Sequence, residues 1–156
     1  DVFTYSQPST GEREFFRLKS VPVPYLDGKS PLHALSLGSV PAGKLYIDTW
    51  GSAVIDTVMA CYDSNGNYLF WNDDSSDTIR WSVVGATFLP GTYYIATGKF
   101  PFLGLNRSKP FHITGTTGVT DGITVNVFGE NIEAGMLQSA SGVNSSGALW
   151  FSIVVE

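Results

Sequence analysis

The sequence predicts an all-β protein: a jelly-roll-like antiparallel β-sandwich of eight to ten strands with almost no helix, formed as one domain over residues 1–156. Three observations predict it. Glycine (17) and proline (8) are spread evenly and cut the chain into short runs. Those runs are rich in Val, Ile, Thr, Tyr, Phe and Trp, which suit a pleated, half-buried surface. No window holds a 3.6-residue apolar period over about ten residues, so no amphipathic helix is encoded. The crossover helices of a parallel sheet therefore have no sequence to make them.

The elements come in this order. Strands are expected at residues 14–19, 32–37, 44–49 and 56–62. The third is the clearest, because in Lys44-Leu45-Tyr46-Ile47-Asp48 the two aliphatics share one face and the polar residues the other. Asp63-Ser64-Asn65-Gly66-Asn67 comes next, and its Asn-Gly pair supplies the positive φ of a tight hairpin. Strands at 68–71 and 78–84 lead to the turn Leu89-Pro90-Gly91-Thr92, which feeds a strand at 92–98. Residues 99–110 read as a long irregular loop, the kind of segment that often carries binding residues. Strands at 111–113, 122–128 and 149–155 complete the set, and 131–138 has room for one or two helical turns at most. Short strands at spacings of roughly 8–12 residues are the pattern of a sandwich or jelly roll.

Composition excludes several functions. Hydrophobic residues make up 43% and charged residues 15%, which is the balance of a packed globule. A net charge of −5 repels nucleic-acid phosphates, and the nine basic residues are scattered apart from Arg13, Arg17 and Lys19, so no nucleic-acid partner is expected. No apolar run approaches the roughly 20 residues of a membrane helix, and no membrane insertion is expected. Cys61 is the only cysteine, so no intrachain disulfide can form. The sequence opens at Asp1 without a methionine or signal peptide, which fits either a trimmed chain or a processed, exported protein.

Four motifs occur in order at hairpin spacing: Ile55-Asp56-Thr57, Tyr62-Asp63-Ser64-Asn65-Gly66-Asn67, Asn72-Asp73-Asp74, and Leu89-Pro90-Gly91-Thr92-Tyr93-Tyr94-Ile95. Over residues 44–98 they resemble the bacterial pre-peptidase C-terminal domain, to which the collagen-binding domains of clostridial collagenases are related. The resemblance implies a jelly-roll-like sandwich appended to secreted bacterial proteins, commonly hydrolases, and acting as a non-catalytic module. Some relatives bind calcium. Glu12-Arg13-Glu14 is a loose counterpart of the Glu-x-Glu that helps hold it in the collagen-binding relatives, but Phe15-Phe16 comes directly after, where oxygen donors would be expected.

Two constellations carry the chemistry. Calcium takes six to eight hard oxygen ligands, and the chain clusters Asp56, Asp63, Asn65, Asn72, Asp73, Asp74 and Asp77. Hairpin geometry separates Asp63 and Asn65 from the rest, so the expected metal ligands are Asp56, Asn72, Asp73 and Asp74. The alternative is that these residues only make Asx turns and caps. Aromatic faces stack on sugar rings or collagen-like prolines. Trp71 has opposite strand parity to Phe70 and is expected to face outward, with Trp50, Phe100 and Phe102 as further ligand-binding candidates. His33 and His112 are isolated in apolar contexts, and no Gly-x-Ser-x-Gly elbow or His-Glu-x-x-His motif is present. No enzymatic activity is expected. The function expected is a non-catalytic secreted accessory module, part of a larger secreted protein, that binds a polysaccharide or a fibrous protein such as collagen for an attached enzyme. The alternative is a structural or adhesion spacer domain of a bacterial surface or secreted protein.

Overall fold

Alternating side-chain direction leaves each strand one apolar face, and two sheets bury those faces against each other. In the computed structural model, which describes residues 2–4, 19–21, 31–54, 56–100, 104–105, 110–111, 113–114, 119–144 and 147–156, nine strands form these two layers. The strands in chain order are β1 (Val2–Thr4), β2 (Lys19–Val21), β3 (Leu35–Val40), β4 (Gly43–Asp48), β5 (Thr57–Asp63), β6 (Tyr68–Asn72) and β7 (Val83–Phe88). They continue as β8 (Gly91–Lys99), β9 (Gly104–Leu105), β10 (Ile113–Thr114), β11 (Val119–Gly129), β12 (Met136–Asn144) and β13 (Leu149–Val155). One layer runs β12-β11-β4-β7 and the other β3-β13-β8-β5-β6, while β1–β2 and β9–β10 are separate two-stranded pairs. The expected sandwich class holds. One pairing departs from the antiparallel rule, since β3 lies parallel to β13.

The core lies between the layers. Leu45, Ile47, Phe88, Ile123, Val125 and Val127 face Met59, Cys61, Ile95, Phe151, Ile153 and Val155. Phe88 clasps the second layer edge-on, against Phe70 at 5.8 Å and Tyr93 at 4.9 Å between ring centres. A second cluster covers the outer face of the five-stranded layer, where Val58, Ala60, Tyr62, Ala96 and Trp150 are buried with Ile113. Six consecutive residues of β5, from Thr57 to Tyr62, are consequently buried. That explains why Thr57-Val58-Met59-Ala60-Cys61-Tyr62 reads as a continuous apolar run and not as an alternation. On the outer face of the four-stranded layer Thr124 and Ser141 pair their hydroxyls across β11 and β12 at 2.8 Å.

Several expected boundaries are corrected. Residues 78–84 do not form a strand until Val83: Ser76 Oγ accepts from Ile79 N at 3.2 Å and Ser75 N donates to Ile79 O at 3.0 Å, closing a local turn that competes with the ladder. Residues 32–37 begin as a 3-10 turn, Pro31–His33, and the strand starts only at Leu35. The helical turns expected at 131–138 shrink to one 3-10 turn, Ile132–Ala134, which ends where Gly135 takes φ +100°. Immediately after it lies the nine-residue strand β12, where the sequence pattern marks no strand. Phe111 sits in a turn with φ +50°, so the strand expected at 111–113 starts at Ile113 and pairs with β9 inside the expected loop. Residues 14–18 of the first expected strand, and 112 in the last of these, lie outside the described residues.

Candidate functional site

The ladder registers Asp48↔Val83, Met59↔Asn72 and Thr57↔Lys99 bring the end of β4, the start of β5, the end of β6, the start of β7 and the end of β8 to one end of the sandwich. Three buried hydroxyls tie these segments together. Thr49 Oγ1 and Thr57 Oγ1 are 2.6 Å apart, and the Ser82 N–H is shared between them at 2.9 and 3.0 Å. Ser82 Oγ donates to Thr57 O at 2.8 Å. All three residues are 0% exposed, so their polar atoms must be satisfied within the protein. The knot links both layers, because Thr49 and Ser82 flank strands of one and Thr57 opens a strand of the other.

On this base stand the aromatic residues. The Trp50 backbone is clamped from both sides, its N–H donating to Asp48 Oδ1 at 3.0 Å and its carbonyl accepting from Asn126 Nδ2 at 2.9 Å. Asn126 is itself held by Asp48 Oδ1 at 2.8 Å and by Ser139 Oγ at 2.8 Å. Trp50 is 55% exposed, and its ring leans on Trp81, with ring centres 4.4 Å apart at 52°. Beside them Arg80 Nη1 donates to Asp56 Oδ2 at 2.9 Å. That hydrogen bond, the Asp56 charge and the more distant Asp74 raise the Arg80 pKa above its ordinary value, which keeps the guanidinium charged. Thr78, Ile79, Arg80 and Trp81 line a cavity of about 220 Å³. The Trp81 indole Nε1–H is buried and has no hydrogen-bond partner.

Three of the four aromatic candidates are exposed: Trp50 and Phe100 (46%) at this end, and Trp71 (42%) on the outer face of the five-stranded layer. Trp71 pairs with Ala60 and faces outward, while its neighbour Phe70 packs into the core. Phe100 is fixed by its N–H donating to Asp56 O at 3.0 Å. Phe102 lies outside the described residues, as do Glu12, Arg13, Glu14, Arg17 and His112.

The four oxygen-bearing candidates lie at the same end, and three of them already have a protein partner. Asp56 pairs with Arg80, Asn72 Oδ1 accepts from Val83 N at 2.9 Å, and Asp73 Oδ1 accepts from Asp74 N at 3.0 Å. Among the described residues no group of three or more His, Cys, Asp or Glu side chains is placed to hold a metal ion. Asp63 caps the hairpin at the opposite end, its carboxylate accepting from Asn65 N, Asn67 N and Asn67 Nδ2 at 2.8–2.9 Å. His33 is exposed in the first 3-10 turn and not in a strand. Cys61 is buried, and burial pushes its thiol pKa far up, with no nucleophilic thiolate as a result.

The pairing of Arg80 with Asp56 is not legible in the sequence. Twenty-four positions separate the two residues, and a strand over 78–84 would point Arg80 and Trp81 to opposite faces. No protein-family model, curated protein or solved structure matches this chain.

Proposed function

We propose that the chain is a non-catalytic accessory module of the pre-peptidase C-terminal type, which holds an attached enzyme of a larger secreted protein on a polymeric substrate, either a polysaccharide or a fibrous protein. The observation that carries this reading is the exposure of Trp50 and Phe100 at one end of the sandwich, with Trp71 exposed on the outer face of the five-stranded layer. Large exposed aromatics lose free energy in water, and a partner that covers them recovers it. The buried hydroxyl knot and the clamped Trp50 backbone fix their positions in advance, so little ordering entropy is lost on binding. The segment that carries the family resemblance, residues 44–98, spans β4 to β8 and contributes Trp50 and Trp71.

Pull-down on insoluble polysaccharides and on fibrous collagen tests the reading. The wild-type chain is expected to be retained on at least one of them. Trp50→Ala, Trp71→Ala and Phe100→Ala are expected to lower retention without changing the fold seen by circular dichroism. Wild-type protein that stays in the supernatant with every polymer would overturn the binding role and favour a spacer domain.

A further inference from the structure

We infer that the Trp50–Trp81 and Arg80–Asp56 corner is a sugar subsite, and that it takes one pyranose ring of a neutral polysaccharide. This rests on the binding-module reading and names both the site and the substrate class within it. Neither Arg80 nor Trp81 is marked by the sequence motifs.

The chemistry of the corner selects the ligand. Trp50 offers an exposed aromatic face on an immobile backbone. The electron-rich face of a ring attracts the C–H edges of a partner, and a pyranose has one face made of C–H groups. Arg80 is donor-only and Asp56 acceptor-only, and they lie side by side with 64% and 20% of their side chains exposed. Vicinal hydroxyls both donate and accept, so a diol can satisfy the two members of the pair at once. A proline-rich peptide meets this corner less well: its backbone is nearly all acceptor, and the Asp56 carboxylate would be left facing carbonyl oxygens. A polyanionic sugar is disfavoured by a chain of net charge −5 whose neighbouring loop carries Asp73, Asp74 and Asp77. The cavity of about 220 Å³ is smaller than the roughly 300 Å³ at which drug-sized pockets begin, which suits a single ring.

Trp81 supplies a further element. A buried donor left without an acceptor is unfavourable by about 1–3 kcal/mol. The Nε1–H is covered in the free protein, and the Trp50 ring that leans on it is free on its other side. A sugar ring stacked on the free face of Trp50 meets an indole whose other face rests on Trp81. Sugar binding therefore changes the environment of both indoles.

Depletion binding on cellulose, amylose, polygalacturonate and fibrous collagen, with tryptophan fluorescence titrated by a soluble neutral oligosaccharide, tests the inference. Expected is retention on a neutral glucan, a fluorescence change on titration, and a loss of affinity of about tenfold or more in both Trp50→Ala and Arg80→Gln. Arg80→Lys is expected to weaken binding too, because the planar fork is lost while the charge stays. Leu89→Ala, at an exposed position on the β7–β8 turn away from this end, is expected to bind like wild type. Retention on neutral glucan that survives both Trp50→Ala and Arg80→Gln would overturn the site and leave the module reading intact. Retention only on collagen or only on polygalacturonate would overturn the sugar class and again leave the module. Retention on nothing would remove both.

Discussion

Thr57 shows how much a single buried hydroxyl can carry. Its Oγ1 meets Thr49 Oγ1 and accepts from Ser82 N, with no water in reach at 0% exposure. Thr57→Val keeps the shape and removes the hydroxyl, leaving partners short of hydrogen bonds. The expected loss is about 1–3 kcal/mol, read in urea as a lower midpoint at unchanged slope; a shift under about 0.5 kcal/mol would mean that the knot holds nothing. Asp63 gives a pH dependence. Desolvation is the largest single influence and pushes its carboxyl up, but the hydrogen bonds from Asn67, Asn65 and Gly66 together outweigh it and bring the pKa below its ordinary 3.8. A depressed folded-state pKa stabilises above the unfolded value, and that contribution disappears as pH falls through the folded value. The stability advantage of wild type over Asp63→Asn should therefore shrink between about pH 5 and pH 2. The site is almost fully exposed, so the effect is small and weakened by salt. An advantage that grows on acidification would contradict the assignment.

At the scale of elements, the β5–β6 hairpin has a different turn from the one its Asn-Gly pair suggests. Gly66 alone takes positive φ, at +83°, and Asn65 does not. The Gly66 N–H donates to Asp63 O at 3.0 Å and closes the turn with one left-handed glycine, while a separate slip of one residue falls between Cys61 and Tyr62, where Leu69 is the extra residue of β6. A Cβ on Gly66 would also lie 2.6 Å from the Phe111 ring, and Phe111 is wedged against Tyr62, Tyr94 and Trp150. Gly66→Ala thus combines backbone strain with a clash, and a loss of about 1–3 kcal/mol is expected from the strain alone; thermal unfolding that matches wild type would refute this. Strands with an apolar face are legible in the sequence: β4, β5, β8 and β13 fall within a residue or two of their expected bounds. β12 is not, because its residues are partly or fully exposed throughout and Gln138, Ser139, Ser141 and Gly142 carry no hydrophobic alternation. It is a strand because β11 offers it a ladder. The same limit applies to the site. Trp50, Trp71 and Phe100 can be nominated one by one from parity and loop position, but the pairing of Arg80 with Asp56 exists only in three dimensions.

For the molecule as a whole, charge compensation at the aromatic end sets an expectation about metal. Asp56 is already neutralised by Arg80, and Asn72 and Asp73 serve backbone N–H groups. A ligand that binds only the native state raises the melting temperature with its concentration. Melting curves in chelator and in millimolar calcium are expected to coincide if these residues serve only turns and caps, and a rise of several degrees with calcium would make them ligands. The order of strands has a different kind of consequence. β13 is the last strand of the sandwich in chain order, yet it sits inside its layer, hydrogen-bonded to β3 on one side and β8 on the other. A chain that emerges from a ribosome or a secretion pore does so from the N-terminus onward, with the strands of that layer waiting for the piece that joins them. Until Val155 is free, β3 and β8 present unpaired edges and the core lacks Phe151 and Ile153. The domain can therefore close only once its final strand has been delivered.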